Sequence, residues 1–224
     1  MRLTFIIKLL FLLLPPYFTS GQSISSFLPD KLDRSANYLF YLHGGVVTVL
    51  GNNAINQSMP EWGPYEYLNI LDSLRIRGFD VISENRKEGV DDSVYVNKIA
   101  RQIDTLLSAK VKPQNIIVVG ASAGSNITIH LSATLKNVEM NYVVMGGCWP
   151  DTYKDYQNID LYGHFLSIIE STDPHGTCSK LFEERKKINS FEEITLNMGL
   201  SHGFIYKGYK EWIDPIVKWF NESR

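Results

Sequence analysis

The sequence predicts an α/β fold built on a mostly parallel sheet of about six strands, with helices on both faces. Short continuous apolar runs alternate with segments of helical periodicity along the chain. Several of these runs are followed directly by glycine, which favours a turn after each strand. The 224 residues are 44% hydrophobic and 21% charged, which suffices for one domain with a sizeable core.

The predicted strands are apolar runs that are too short for helices. The first run, 38–42, is apolar at every position, as expected for a strand that is buried on both faces of a sheet. Strands separated by helices pair in parallel, because each crossover returns the chain to the same edge. The predicted strands cover residues 38–42, 79–83, 115–119, 142–145, 165–169 and 194–198.

The intervening helices are predicted from apolar residues spaced three and four positions apart. Tyr67, Ile70 and Leu74 share one face of a helix that Gly78 ends. Asp91 has the side chain that a helix start favours, because its carboxylate can accept bonds from free backbone N–H groups. The predicted helices cover residues 64–77, 91–107, 122–135, 178–188 and 210–220, the last interrupted by Pro215.

The first 21 residues are predicted to be a secretory signal peptide. Arg2 and Lys8 supply positive charge, an apolar run follows, and small residues lead to cleavage near Gly21. The alternative is an uncleaved membrane anchor. The apolar stretch 3–14 contains Lys8 and is well short of the ~20 residues that span a bilayer, so the signal peptide is favoured.

The rest of the chain is predicted to comprise a polar leader, 22–36, and a single α/β domain, 37–224. Removal of the signal peptide leaves no stable membrane anchor, so we expect a secreted or periplasmic protein. In such a compartment Cys148 and Cys178 can form a disulfide, but two buried thiols are equally compatible with the sequence. The net charge is −2 without a basic stripe, so no nucleic-acid partner is predicted, and the oligomeric state stays open.

The segment 120–124 has the pattern Gly-x-Ser-x-Gly directly between a predicted strand and a predicted helix. A strand that reverses sharply into a helix exposes the serine hydroxyl at the tip of a strained turn. We therefore predict that Ser122 is a nucleophile. The alternative is an ordinary turn that uses small residues for packing.

A serine hydroxyl needs a base, and the base needs a carboxylate that orients it. His202 follows the last predicted strand and is the preferred base, while Asp173 follows the preceding strand in a turn and is the preferred acid. The order Ser122, Asp173, His202 is the one expected for a serine on such a turn. The rival carboxylates are Asp151, Asp155, Asp160 and Glu170. The other candidate histidines, His130, His164 and His175, are assigned no role.

An oxyanion hole is predicted from backbone N–H groups near the serine. Ala123 follows the nucleophile and can supply one N–H group, and Gly44 or Gly45 at the end of the first strand can supply the other. His43 is expected to hold this loop through a side-chain hydrogen bond rather than to transfer protons.

With these residues in this order, the chain resembles the α/β-hydrolase family. The resemblance extends from about Tyr38 to Phe220, which is nearly the whole chain after the leader. The resemblance implies a serine hydrolase that cleaves esters through an acyl-enzyme, with no metal or organic cofactor. A small-molecule ester is the expected substrate, because the interval 149–164 leaves room for only a short helix or loop where many members carry a lid. The pattern also predicts none of the antiparallel strands that often precede the first parallel strand in this family.

Two other functions stay open at this level. A peptidase or thioesterase could use the same three side chains, since both reactions proceed through an acyl-enzyme. A binding module could keep the fold without catalysis. The complete set of nucleophile, base, acid and oxyanion residues favours an enzyme over the binding module.

Overall fold

Seven parallel strands form one sheet in the computed structural model, which describes residues 22–149, 153–183 and 185–223. Their order across the sheet is β1-β3-β2-β4-β5-β6-β7, and each neighbouring pair is parallel. The α/β class and the parallel sheet are thereby confirmed, with one strand more than the six that the apolar runs predict. The strands are β1 (Ile24–Ser25), β2 (Asn37–Leu42), β3 (Phe79–Ile82), β4 (Ile116–Ala121), β5 (Asn141–Met145), β6 (Gly163–Glu170) and β7 (Ile188–Leu196).

Helices cover both faces of this sheet, as predicted. On strand β2, Tyr38 and Phe40 pack with the helices Asp92–Ser108 and Ala123–Leu135, while Leu39 and Tyr41 pack with Tyr67–Arg75 and Lys210–Glu222 on the opposite face. Alternate side chains of a strand point to opposite faces, so a strand buried on both sides is apolar throughout. The α-helices of the described residues are α1 (Gly45–Leu50), α2 (Tyr67–Arg75), α3 (Asp92–Ser108), α4 (Ala123–Leu135), α5 (Tyr153–Tyr156), α6 (Ser179–Phe182) and α7 (Lys210–Glu222).

The additional strand β1 lies in the segment 22–36, which the sequence predicts as a leader outside the domain. Ile24 pairs with Val81 of β3, and the Ser23 N–H donates to the Asp80 carboxylate at 2.8 Å. The boundary at residue 37 therefore needs correction, because this segment is part of the sheet. A two-residue strand at an edge needs no apolar run, so the pattern gave no sign of it.

The second difference concerns the other edge of the sheet. In place of the predicted helix 178–188 the structure has only the four-residue helix α6, and β7 begins at Ile188 rather than at residue 194. β7 is the last strand of the sheet, and most of its side chains are half-buried or exposed. An edge strand of this kind lacks the continuous apolar run that identifies a central strand.

Helix α7 continues through Pro215, where the sequence predicts an interruption. Its buried face includes Trp212, Ile216 and Phe220, which pack against the sheet. This burial offsets the loss of one backbone hydrogen bond at the proline.

Two features bear on the predicted export. Cys148 and Cys178 form a disulfide with their Cα atoms 5.1 Å apart, which resolves the alternative that the sequence left open. The predicted signal peptide, 1–21, lies outside the described residues. Within the described residues, no helix has both the length and the apolar character needed to cross a bilayer.

Candidate active site

Three of the predicted side chains meet at the carboxyl edge of the sheet. Ser122 follows β4, Asp173 follows β6 and His202 follows β7. The His202 Nε2 atom lies 3.0 Å from the Ser122 Oγ atom, and the His202 Nδ1 atom lies 2.7 Å from the Asp173 Oδ2 atom. The imidazole is therefore placed to accept the serine proton while the carboxylate holds its far side.

The backbone at Ser122 has an unusual conformation that exposes this hydroxyl. Its φ is 51° and its ψ is −117°, a region that residues with a side chain rarely adopt. The Ser122 N–H donates to the Met145 carbonyl at 2.8 Å. A Cβ at Gly120 would lie 2.4 Å from the Gly124 carbonyl oxygen, and a Cβ at Gly124 would lie 1.9 Å from the Leu42 carbonyl oxygen. The turn can form only because both flanking positions lack side chains.

His202 is held from one side by an aromatic contact. It lies in a short 3₁₀ helix, Ser201–Ile205, which follows β7. The Trp62 ring centroid is 6.0 Å from that of His202, and a Cβ at Gly203 would lie 2.6 Å from the indole. Trp62 therefore packs directly on the turn that carries the imidazole.

The rival carboxylates are not placed to bond His202 as Asp173 does. Asp160 is exposed and pairs with Lys187 at 2.6 Å. Asp155 is exposed on α5, and Asp151 lies outside the described residues. Asp173, whose side chain is 1% exposed, is the carboxylate that contacts the imidazole.

The fourth rival, Glu170, is buried and has a different role. Its Oε2 atom accepts the Met198 N–H at 2.9 Å, and its Oε1 atom accepts the Gly199 N–H at 3.2 Å. The neighbouring Thr172 hydroxyl accepts the Ser201 N–H at 3.0 Å. Burial by itself raises the pKa of Glu170, but these backbone donors outweigh it and hold the pKa below its usual value. The acid-bearing segment thus fixes the backbone that leads to the histidine.

The Asp173 carboxylate is stabilised as an anion. Burial by itself raises its pKa, but the hydrogen bond and the charge of His202, together with donors from His175, outweigh that effect. The pKa of Asp173 is consequently lower than that of an ordinary aspartate. An ionised carboxylate only accepts hydrogen bonds, so His202 carries a proton on Nδ1 and presents the Nε2 lone pair to Ser122.

The predicted oxyanion residues lie beside the serine. A Cβ built at Gly44 would be 3.5 Å from the Ser122 Cβ, and one at Gly45 would be 3.8 Å from the Ala123 Cβ. Ala123 and Gly45 are the first residues of α4 and α1, so their N–H groups have no acceptor within their own helices. The Gly44 N–H is 3.5 Å from the Tyr65 hydroxyl, a long contact that leaves it weakly bonded.

His43 holds this glycine loop through a side-chain hydrogen bond, as predicted from the sequence. Its Nε2 atom accepts the Arg86 N–H at 2.8 Å, so its Nδ1 atom carries the proton and donates to the Gly44 carbonyl at 2.9 Å. Burial is the main cause that lowers the pKa of His43 to about 4, with a smaller contribution from the Arg86 charge. His43 is thus a neutral ring that links the loop after β2 to the loop after β3.

His175, for which the sequence predicts no role, also lies in the candidate site, against the Asp173 carboxylate. The His175 Nδ1 atom lies 2.6 Å from Asp173 Oδ1, and the His175 and His202 ring centroids are 4.3 Å apart. Trp149 packs edge-on against the His175 ring at 4.8 Å. The short Asp-x-His spacing was visible in the sequence, but the direction of the ring was not.

Asp173, His175 and His202 also form a group of potential metal ligands whose nearest ligand atoms all lie within 4.8 Å of one another. Two ligands of a tetrahedral zinc ion are about 3.3 Å apart, given Zn–N bonds of about 2.0–2.1 Å. The two Asp173 contacts, at 2.6 and 2.7 Å, are shorter than this separation and fit hydrogen bonds. The arrangement therefore suits proton chemistry better than a shared metal ion.

Similarity to solved structures extends over most of the chain. Esterase B of Lactobacillus rhamnosis has a TM-score of 0.59 at 13% identity, with 88% of this chain and 79% of that chain covered. A protein of Agrobacterium tumefaciens, described provisionally as an α/β hydrolase, has a TM-score of 0.57 at 17% identity, with 88% of each chain covered. A lipase-esterase related protein of Clostridium acetobutylicum has a TM-score of 0.52 at 12% identity, with 86% and 96% covered. At these identities the likeness is one of fold.

Comparison of sequences adds no relative to this set. No protein-family model matches the chain, and the search of curated proteins finds no match.

Proposed function

We propose that this chain, which has the α/β-hydrolase fold, is an exported serine hydrolase that cleaves small or medium carboxylic esters. The observation that carries the proposal is the unbroken contact from Ser122 Oγ through the His202 imidazole to the Asp173 carboxylate, at 3.0 and 2.7 Å. A serine, an imidazole and an ionised carboxylate in this order are the components of nucleophilic acyl transfer.

The reaction proceeds in two halves. Ser122 attacks the ester carbonyl while His202 accepts its proton at Nε2, and His202 then protonates the departing alcohol. Water, activated by the same imidazole, hydrolyses the acyl-enzyme. Asp173 stabilises the imidazolium, and the N–H groups of Ala123 and of Gly44 or Gly45 hold the oxyanion.

The segment between β5 and β6 supports a small or medium substrate. Within its described part, α5 is a four-residue helix, and the rest is loop. Such a short segment offers little apolar surface to enclose a long acyl chain. Export is supported by the predicted signal peptide and by the disulfide, which is typical of oxidising compartments.

The direct test uses p-nitrophenyl acetate and a fluorophosphonate probe. Ser122→Ala is expected to abolish turnover and labelling while the thermal unfolding transition stays unchanged, because only the nucleophile is lost. Ser108→Ala, at an exposed position at the end of α3, is the matched control and keeps both signals. A folded wild-type protein that neither turns over the ester nor reacts with the probe would indicate a binding module instead.

The choice of acyl substrate needs a separate measurement. Rates on matched ester, thioester and aminoacyl-amide substrates distinguish an esterase from a thioesterase or a peptidase. We expect the ester series to be fastest, with rates that fall as the acyl chain lengthens. Faster cleavage of the amide or thioester would overturn the ester assignment and leave the nucleophile intact.

A further inference from the structure

The Asp173 carboxylate contacts two imidazoles at once. The His202 ring donates to Oδ2 at 2.7 Å, and the His175 ring lies against Oδ1 at 2.6 Å. The His175 backbone N–H also donates to Oδ1, at 3.1 Å. The two carboxylate oxygens are therefore engaged separately, one by each histidine.

The proton positions follow from the chemistry of the carboxylate. An ionised carboxylate accepts hydrogen bonds and donates none, so the Nδ1 atoms of both rings carry protons. His175 thus competes with His202 for the negative charge of Asp173. It also prevents the carboxylate plane from turning, because Oδ1 is held by both the ring and the backbone of the same residue.

The surroundings of His175 are suited to this role. Its side chain is 21% exposed, whereas that of Asp173 is 1% exposed. The titratable groups in contact with its ring are Asp173 and His202, and Trp149 packs edge-on against it. The ring is thus fixed between a carboxylate, an imidazole and an indole.

We propose that His175 is a positioning residue of the triad, which fixes the Asp173 carboxylate towards His202 and shares the negative charge of that carboxylate with the His202 imidazole. The inference rests on the proposed hydrolase function. His175 touches neither the Ser122 hydroxyl nor the reacting ester in this scheme. Its effect passes entirely through Asp173 and the neighbouring ring.

The kinetic test compares two substitutions of His175 on p-nitrophenyl acetate. His175→Ala removes the donor, so we expect kcat to fall about tenfold with little change in KM. The full charge of Asp173 then acts on His202, so the acidic limb of kcat/KM moves to higher pH by about half a unit. His175→Asn places an amide N–H near the position of Nδ1. This variant is expected to restore both kcat and the wild-type pH position of the acidic limb of kcat/KM.

A purely structural role of the ring would give a different pattern. Both variants would then lose activity and thermal stability together, and the acidic limb would stay in place. Wild-type kinetics in His175→Ala would also overturn the proposal. His130→Asn, on α4 and in contact with Tyr156, is the matched control for replacing a histidine and keeps wild-type kinetics.

A spectroscopic measurement distinguishes a failure of this proposal from a failure of the proposed function. In protein labelled with ¹⁵N-histidine, the Nδ1–H protons of His175 and His202 are expected as two hydrogen-bonded signals, and His175→Asn removes one of them. Two signals without any turnover would leave the His175 contact standing and refute the hydrolase. A single signal in an active wild-type enzyme would refute the role of His175 alone.

Discussion

The centre of the sheet and its β6–β7 edge contribute to the site by different means. At the centre, the turn at Ser122 is defined by backbone contacts between neighbouring elements, such as the close approach of Gly124 to Leu42. At the edge, Asp173 and His202 are 29 residues apart and are joined by side-chain hydrogen bonds. Glu170 and the Cys148–Cys178 disulfide reinforce the same loops. Covalent and electrostatic perturbations should therefore affect the edge more than the centre.

The largest expected effect is the loss of the edge carboxylate. Asp173→Asn keeps the size of the side chain but places an amide N–H where His202 donates, which favours the wrong tautomer of the imidazole. We expect kcat to fall about 10³- to 10⁴-fold, equivalent to about 4–5.5 kcal/mol of transition-state stabilisation, at little cost in stability. Steady-state kinetics on p-nitrophenyl acetate measure this change.

The matched control is Asp160→Asn, which breaks an exposed ion pair with Lys187 and is expected to leave the kinetics unchanged. Equal activity of the Asp173 and Asp160 variants would mean that the Asp173 carboxylate does not assist His202 in the reaction.

The second prediction concerns the disulfide that ties the loop after β5 to the loop that carries Asp173. The two cysteines are 30 positions apart, and a cross-link of that span restricts the unfolded chain. The double variant Cys148→Ser/Cys178→Ser is expected to lose about 3–4 kcal/mol of unfolding free energy. Urea denaturation of both proteins measures the difference, and an unchanged midpoint would contradict the prediction.

The two regions also differ in how far the sequence predicts them. The central strands and the turn at Ser122 follow from continuous apolar runs and from glycines whose contacts are local. Strand β1 and the start of β7 escaped prediction, because edge strands carry no such run. The positions of Asp173 and His202 were predictable from chain order and strand ends, since the carboxyl ends of parallel strands all lie on the same side of the sheet.

The partners of the edge side chains were not predictable. The sequence offered Glu170 as a rival acid, but its bonds to the Met198 and Gly199 N–H groups depend on the packing of β6 against β7. The second contact of Asp173 depends likewise on the path of the turn that carries His175. Such contacts arise from tertiary structure, and no local pattern encodes them.

The third prediction concerns how acidic pH affects stability at the centre of the sheet. The pKa of His43 is about 4 in the folded protein and about 6.5 when it is unfolded, so the unfolded chain binds an extra proton between these values. The stability that this neutral ring provides is present above pH 6.5 and is lost as the pH falls towards 4. Between pH 7 and pH 4.5 we expect His43 to account for about 2–3 kcal/mol of lost unfolding free energy.

His43→Asn removes the titrating group and retains an N–H that can reach the Gly44 carbonyl. Its unfolding free energy should be lower at pH 7 but should vary less between pH 7 and pH 4.5 than that of the wild type. Parallel denaturation curves at both pH values provide the measurement. Identical pH dependence in the two proteins would show that the ring is not kept neutral by burial.

The smallest expected effect distinguishes the two carboxylates of the edge. Glu170→Gln replaces one acceptor with an N–H₂ group that faces backbone donors, so one buried N–H of the histidine loop loses its partner. We expect about 2 kcal/mol of lost unfolding free energy and a moderate fall in kcat, because His202 is no longer held in register. Glu192→Gln, exposed on β7, is the matched control with neither effect.

If Glu170→Gln lowered kcat as strongly as Asp173→Asn at unchanged stability, Glu170 would take part in the chemistry. The expected separation, with stability assigned to Glu170 and turnover to Asp173, would instead show that two carboxylates three residues apart hold the backbone and the imidazole of the same loop.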